Sequence, residues 1–162
     1  MSISKRVIGG LVASGIAVFA GTNAMEDKTT RDDAGAIVES GGLGAFAVRH
    51  GDCVQLPDPG TQKVVSVEGV PCDSPHDAQV YAELTLTGDG AFPGVDAVQS
   101  SAGEQCASRW EGTFGAYDPA RNLDLTFLVP SDDSWTSKDD RAVTCFVVAA
   151  DGTPLLGSKV AG

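Results

Sequence analysis

The alternation of apolar and polar residues predicts a set of β-strands in the C-terminal two thirds of the chain. The clearest case is residues 78–86, where every second residue from Val80 to Leu86 is apolar and is expected on one face, with Tyr81 and polar residues on the other. This period of two is typical of a half-buried strand. The remaining predicted strands are residues 45–56, 61–70, 122–130, 141–150 and, as a short edge strand, 153–160.

One segment has a helical period instead. From Val95 to Phe114 apolar residues recur every three or four positions, which predicts an amphipathic helix with one buried stripe. Asp96 is expected to cap the first turn of this helix. Residues 131–140 are a polar stretch around Trp135 and are expected to form a loop between two strands.

The N-terminus combines positive charge with an apolar run. Lys5 and Arg6 precede an uncharged stretch from Val7 to Ala24, and acidic residues follow at once. Positive charges stay on the cytoplasmic side of a membrane, so the rest of the chain is expected to be exported. Residues 1–24 are predicted to be a hydrophobic helix, serving as a transmembrane anchor or as a signal peptide. The run is short for a span and small residues near its end suit cleavage, so both alternatives stay open.

The residues that follow are dominated by charge, glycine and serine. Residues 25–44 show little apolar periodicity and are predicted to form a flexible acidic linker to an extracytoplasmic domain at residues 45–162. The whole chain has 22 acidic and 11 basic residues, a formal net charge of −11. Because the basic residues form no cluster that could neutralise phosphates, we expect no nucleic-acid binding.

Four cysteines lie beyond the apolar run, namely Cys53, Cys72, Cys106 and Cys145. An even number of cysteines in an exported chain predicts two disulfides, for which three connectivities are possible. None of the spacings is C-x-x-C, which argues against a zinc ribbon or a redox pair. The elements together predict an α+β fold. It would have a small, mostly antiparallel sheet, one packed amphipathic helix and two disulfides, preceded by the N-terminal hydrophobic helix.

One polar cluster occurs in the stretch from Val70 to Leu84. Asp73, His76 and Asp77 lie within five positions of one another and are candidate binding residues. The alternative interpretation is a turn after a disulfide, in which the imidazole and a carboxylate bond to backbone groups at the entry of the next strand. We prefer the turn.

No other motif indicates catalysis or a bound metal. The chain has two histidines, lacks the alternating acidic loop of calcium sites, and contains no G-x-S-x-G elbow. We therefore predict no catalytic residue, no metal site and no cofactor, in a protein that is not an enzyme.

A combination of short motifs is more specific than any one of them. The motifs are Gly51-Asp52-Cys53, Val70 to Tyr81, Phe92-Pro93-Gly94, Cys106, Tyr117, Pro130 with Trp135, Asp140 to Cys145, and Leu156 to Lys159. In this order they resemble the actinobacterial septum formation family of exported or membrane-anchored domains, over roughly residues 48–160. The resemblance implies a place in the cell envelope and at the division septum, but it implies no catalytic residues.

The resemblance also implies a disulfide pairing. Cys53 is expected to bond to Cys72, between sequential strands, and Cys106 to Cys145, between helix and sheet. Loops of these lengths contribute about 3 and 4 kcal/mol to stability on the loop-entropy estimate. Where the family has Gly-Asp-Arg, this chain has Asp139-Asp140-Arg141, which weakens the expectation of a turn with positive φ at residue 139.

These observations favour a non-catalytic extracytoplasmic domain, held at the cell membrane by its N-terminal helix and acting in protein interaction or envelope assembly. Its expected partners are the membrane itself and membrane or envelope proteins. One alternative is an accessory single-pass subunit of a larger membrane complex. Another is an envelope hydrolase or ligand-binding domain that uses His76. Secretion after signal cleavage is the alternative to the anchored location.

Overall fold

The computed structural model of the protein describes residues 17–18, 25–58 and 63–161. Within these residues the chain forms ten β-strands and two α-helices, with a 3₁₀ turn at Pro119–Arg121. In chain order they are β1 (Ala17–Val18), β2 (Thr30–Arg31), β3 (Ile37–Glu39), β4 (Gly41–Gly44), β5 (Cys53–Gln55), β6 (Lys63–Val64), β7 (Ser66–Val70), β8 (Ala78–Thr85), α1 (Val95–Phe114), β9 (Leu123–Leu128), α2 (Asp132–Lys138) and β10 (Ala142–Ala149).

Six strands form one antiparallel sheet in the order β4-β7-β5-β8-β10-β9. Strands β2 and β3 form a separate antiparallel pair, and β1 lies parallel to β6. Helix α1 follows β8 in the chain and packs on β8 and β9. The predicted α+β fold with a mostly antiparallel sheet is confirmed.

Helix α1 carries the predicted buried stripe except at its first residue, since Val95 is 42% exposed. Its buried side chains are Val98, Ala102, Cys106 and Trp110, spaced by four residues so that they share one face. At the N-terminus, however, Gly94 occupies the cap position and no side chain caps the helix, so the prediction that Asp96 is the cap was wrong.

Helix α2 replaces the loop predicted for residues 131–140. Ser131 starts it with a capping box, in which its side chain accepts a hydrogen bond from the Ser134 backbone and the Ser134 side chain accepts one from Ser131. Trp135 is the buried anchor of this short helix. The sequence did not predict this helix because its seven residues are mostly polar. Trp135 is the one buried apolar side chain, so there is no repeating apolar stripe.

Helix α2 ends at a residue with positive φ. Asp139 adopts φ 54° and ψ 31°, the left-handed conformation that glycine accepts most readily. The turn expected from the family pattern is therefore present although glycine is absent. Asp tolerates this conformation better than most residues because its short polar side chain bonds locally.

A β-bulge in β8 changes which side chains share a face. In the pairing with β10, Cys145 lies opposite Ala82 and Phe146 opposite Val80, so that Tyr81 is the extra residue. Val80 therefore packs with Phe146 on one side of the sheet, whereas Tyr81 and Ala82 both pack on the side of α1. The predicted single apolar face beginning at Val80 was wrong, because the bulge shifts the alternation by one residue.

Both predicted disulfides are present. Cys53 is bonded to Cys72, and Cys106 to Cys145. The first bridge ties β5 to the residues after β7, and the second ties α1 to the middle of β10. The described residues contain no free cysteine.

The segment predicted as a flexible linker, residues 25–44, is instead folded onto the domain. Strand β4 pairs with β7 as an edge of the main sheet, and residues 26–28 bond to the outer side of β4. The glycines of this segment allow close packing: a Cβ atom at Gly41 would collide with the carbonyl of Lys28. The domain thus extends beyond its predicted boundary at residue 45.

A buried ion pair fixes the same segment. Arg31 in β2 makes two hydrogen bonds to the carboxylate of Asp52, at 2.6 and 3.0 Å, and a third to Asp27 at 2.8 Å. These bonds, above all those to Asp52, raise the pKa of the Arg31 guanidinium. Burial favours a higher pKa for Asp27, but hydrogen bonds from Thr29 and Arg31 outweigh it, so the pKa of Asp27 is lowered.

One predicted strand is shorter than expected and another is absent. Of residues 45–56, strand β5 alone is extended and paired, because the chain turns before it at residues 45–51. Residues 153–160 form no edge strand: Leu155 makes one isolated bridge with His76. Both segments nevertheless bury apolar side chains, Val48 and Leu155 among them.

The predicted N-terminal hydrophobic helix lies outside the described residues, except for Ala17–Val18, which form β1. No helix within the described part of the chain is long and apolar enough to cross a membrane.

We predict that Arg31→Met lowers the free energy of unfolding by about 3 kcal/mol, because it leaves the buried Asp52 carboxylate without a counter-charge. Arg49→Met is the matched control. Arg49 also faces Asp27, but at 3.9 Å and with 61% of its side chain exposed, so its loss should cost less than about 0.5 kcal/mol. Urea unfolding of the two purified variants measures both values. Equal effects would show that residues 25–44 do not depend on the Arg31 ion pair.

Candidate functional site

The residues between β7 and β8 form a tight corner, residues 71–77, here called the signature corner. Its two prolines, Pro71 and Pro75, restrict the backbone, and the Ser74 N–H closes a turn on the Pro71 carbonyl at 2.9 Å. The disulfide from Cys72 to Cys53 attaches the corner to β5. Proline restriction and the covalent bond together give the corner one conformation.

His76 lies inside this corner and is completely buried, with 0% of its surface exposed. Its Nδ1 is 2.8 Å from the Ser74 carbonyl oxygen. Because a carbonyl accepts only, Nδ1 must carry the proton that is donated. Nε2 has no hydrogen-bond partner among the described residues. The backbone of His76 exchanges two hydrogen bonds with Leu155, at 3.0 and 2.7 Å.

The two neighbouring aspartates do not converge on the imidazole. Asp77 accepts a hydrogen bond from the Leu56 N–H at 2.9 Å, which ties the corner to the end of β5. Asp73 is exposed, and its carboxylate has no hydrogen bond or ion pair within the described structure. No hydrogen bond joins His76 to either carboxylate in that part of the chain. The three candidate binding residues therefore have three different environments.

The central polar group is a residue that sequence reasoning missed. Gln79, the second residue of β8, is 1% exposed. Its Nε2 donates to the Gly51 carbonyl at 3.0 Å and to Ser158 Oγ at 2.8 Å, and its Oε1 accepts from the N–H groups of Lys159 and Val160. Alternation placed Gln79 on the polar face of its strand with Tyr81, so the pattern gave no signal of burial.

These bonds help to hold residues 155–160, here called the C-terminal strap. Besides its contacts to His76 and Gln79, the strap is bonded through the Gly157 N–H to the Cys72 carbonyl at 2.8 Å. Leu155 and Val160 bury their side chains at its two ends. The strap is thus recognised mainly through its backbone, as in the addition of a short strand.

A second group of motif residues lies at α2. The Arg141 guanidinium stacks 3.7 Å from the centre of the Trp135 ring and donates to the Gly88 carbonyl at 2.7 Å. The Trp135 indole donates to the Gly90 carbonyl at 2.9 Å. These contacts attach the loop before α1 to α2. The polar atoms of Trp135 and Arg141 that make them are bonded to the protein itself.

The hydroxyl of Tyr81 is likewise hydrogen-bonded within the protein. Burial raises the pKa of the Tyr81 hydroxyl well above its usual value, and the charge of Asp124 raises it further. The hydroxyl therefore stays protonated and donates to the Cys106 carbonyl at 2.8 Å. It locks β8 to α1 and is not available as a base.

The described residues contain no group of three or more histidine, cysteine or acidic residues placed to hold a metal ion. Two open concavities lie elsewhere and include no residue of the signature corner. The first is lined by Glu26, Lys28, Gly42, Gly44 and Ser66, and the second by Lys63, Ser131, Asp132, Asp133 and Thr136.

Comparison with known protein families gives a match over the folded domain. The sequence profile of the family described as septum formation matches residues 50–159, which is more than half of the chain. No curated protein and no solved structure matches significantly. The match covers the signature corner, Gln79, both disulfides and all of the strap except Val160. The actinobacterial origin is not addressed by it and stays a prediction.

We predict that Gln79→Leu lowers the free energy of unfolding by about 3 kcal/mol, because the backbone groups that it binds lose their partners in a buried place. Hydrogen exchange of residues 157–160 should accelerate at least tenfold in the same variant, since the strap loses its anchor. Gln55→Leu is the control: Gln55 donates to the Pro75 carbonyl at 2.9 Å in an exposed setting, so its loss should cost less than about 1 kcal/mol. An unchanged strap in Gln79→Leu would contradict the assigned role.

Proposed function

The chain belongs to the septum formation family, and from this membership we propose that it is a non-catalytic extracytoplasmic domain acting in septum formation. Its action would be protein interaction or envelope assembly. The family description relates the chain to cell division and the envelope. The finer proposal, that the domain works by binding and without chemistry, is supported by how its polar groups are used.

The observation that carries the proposal is the internal use of the family motif. His76 is buried and bonded to backbone, Asp77 binds the Leu56 N–H, Gln79 holds the strap, and Arg141 is stacked on Trp135. A catalytic site needs reactive groups that converge where a substrate can reach them. Here the same residue types are spaced apart and bonded to the protein itself, which supports a scaffold for binding.

The two disulfides support the extracytoplasmic part of the proposal. Disulfides persist in oxidising compartments and are rare in the cytosol. The bridges Cys53–Cys72 and Cys106–Cys145 use all four cysteines of the chain. Together with Lys5 and Arg6 before the apolar run, they favour an N-terminal segment that stays in the membrane while the domain lies outside the cytoplasm.

One observation disfavours both a membrane-spanning segment and a signal peptide that is cleaved beyond residue 18. Ala17–Val18, in the apolar run, form β1 beside Lys63–Val64 of the domain. A segment paired with the folded domain does not span a bilayer at the same time. A chain that keeps this pairing would be released or only peripherally bound. An accessory role in a larger membrane complex would instead require the apolar run to pack against partner helices.

Location provides the first test. We expect the full chain with a C-terminal fluorescent tag that functions outside the cytoplasm to stay in the membrane after carbonate extraction and to concentrate at division septa. A matched chain, in which residues 1–24 are replaced by a cleavable signal peptide, should be released and lose the septal concentration. Release of the unaltered chain, with a mature N-terminus beyond residue 24, would support secretion and contradict the anchor.

Substitution of His76 tests the absence of catalysis. His76→Asn keeps a donor that can reach the Ser74 carbonyl but removes Nε2, the ring atom that chemistry or a ligand would need. We expect this variant to restore normal septum spacing in a deletion strain as well as the wild-type chain does. His76→Leu, which also loses the Ser74 hydrogen bond, controls for stability. A folded His76→Asn variant without activity in cells would contradict the proposal and support a ligand or hydrolase site.

A further inference from the structure

The two disulfides differ in how well they are shielded from water. Cys106 and Cys145 are both 0% exposed, because their bridge joins α1 to β10 inside the core. Cys53 is also fully buried, but its partner Cys72 is partly exposed on the signature corner. Reduction of a disulfide begins when a thiolate attacks one of its sulfurs, so its rate depends on access to that sulfur. The Cys53–Cys72 bridge is therefore the more accessible of the two in the folded domain.

The same bridge is in direct contact with the C-terminal strap. The carbonyl of Cys72 accepts a hydrogen bond from the Gly157 N–H at 2.8 Å. The Gln79 Nε2 that donates to Ser158 Oγ at 2.8 Å also lies 3.7 Å from Cys72 Sγ. The backbone and the sulfur of Cys72 thus both contact groups that hold the strap, and a displaced Cys72 would break or weaken these contacts.

The bridge is the covalent attachment of the signature corner to the sheet. Residues 71–77 lie between β7 and β8 and belong to no strand. The bridge bonds Cys72 to Cys53, the first residue of β5. When it is open, the position of Cys72 depends on hydrogen bonds alone, and these are at the surface, where water competes for them.

The closed corner also contains an unfavourable group. His76 is 0% exposed, and its Nε2 has no hydrogen-bond partner within the described structure. A buried polar atom without a partner costs free energy, which is recovered when water reaches it. Because the strap is bonded to the His76 backbone through Leu155, an opening of corner and strap would hydrate this atom. Part of the free energy that opening costs is thereby offset.

We propose that the Cys53–Cys72 bridge is a redox switch that determines whether the C-terminal strap is closed on the signature corner. In the oxidised chain the strap is closed. In the chain reduced at this bridge alone, the strap opens while α1, β10 and the second disulfide keep their structure. The inference goes beyond the proposed function and does not depend on a role at the septum.

The reductant is a dithiol. One of its sulfurs, as a thiolate, attacks Cys72 Sγ, the sulfur bond to Cys53 breaks, and Cys53 leaves as a thiolate that takes a proton from water. The second thiol of the reductant then attacks the mixed disulfide, which releases Cys72 as a thiol and the reductant as a disulfide. Two electrons pass from the dithiol to the bridge, and reoxidation by exchange with a disulfide reverses both steps.

Selective reduction is the first test. The purified full chain in mild detergent is treated with dithiothreitol, and free thiols are trapped at intervals with N-ethylmaleimide in denaturant and located by peptide mass spectrometry. We expect Cys53 and Cys72 to become labelled about tenfold faster than Cys106 and Cys145, or faster still, while tryptophan fluorescence stays native. Reduction of both bridges at one rate, together with loss of the native fluorescence, would overturn the proposal.

Hydrogen exchange tests the response of the strap. In the selectively reduced chain, the N–H groups of residues 157–160 should exchange at least about tenfold faster than in the oxidised chain. Helix α1 and strand β10 should stay protected over the same labelling times, and reoxidation should restore the protection of the strap. Unchanged exchange of the strap after selective reduction would show that the bridge is only structural.

Paired substitutions separate a local switch from a general loss of stability. The chain with Cys53→Ala and Cys72→Ala should show the fast strap exchange without any reductant. The matched control, with Cys106→Ala and Cys145→Ala, should keep the strap exchange within about twofold of wild type. An equal opening of the strap in both chains would contradict the switch. If either substituted chain does not fold, the comparison between the oxidised and the selectively reduced wild-type chain decides.

Discussion

The structure of the motif region depends on one buried amide, that of Gln79. A side-chain amide removed from water must find partners for both its donors and its acceptor, or its burial costs stability. Gln79 finds them in the loop before β5 and in three successive residues of the C-terminal strap. Residues more than 100 positions apart in the chain are thereby brought to one place. The position of the strap follows from this requirement more than from its own side chains, since only two of them are buried deeply.

The regular part of the fold could be predicted from the sequence, because long segments with a clear period leave few alternatives. Helix α1 and strands β8, β9 and β10 are of this kind. Prediction from the period is wrong where the strand is locally irregular. The bulge at Tyr81 moves Val80 to the other face of the sheet, and no residue in the sequence indicates that a bulge occurs there. Helix α2 was missed because its stability comes from the capping box at Ser131 and the stacked Trp135, neither of which produces a repeating pattern.

The misassigned segment 25–44 shows a different limit. Its composition is that of a linker, yet Arg31 finds a buried carboxylate 21 positions away, and Gly41 allows a close approach to Lys28. Amino-acid composition gives only the average tendency of a segment to fold. Here the ion pair between Arg31 and Asp52, two residues far apart in the chain, holds residues 25–44 on the domain. The corner itself was inferred from its prolines, its cysteine and the family motif. The burial of His76 and the exposure of Asp73 depend on how the strap lies over the corner, which no local pattern encodes.

The disulfides have a consequence for the timing of folding. Their loops contribute about 3 and 4 kcal/mol by the loop-entropy estimate, against a typical total stability of about 5–15 kcal/mol for a domain. Without oxidation a large share of that margin is absent, so the reduced chain is expected to be much less stable than the oxidised one. If the domain has the proposed extracytoplasmic location, a loosely structured chain is what a secretion channel could thread. Oxidation on the far side would then close the loops, and the domain would reach its full stability only after export.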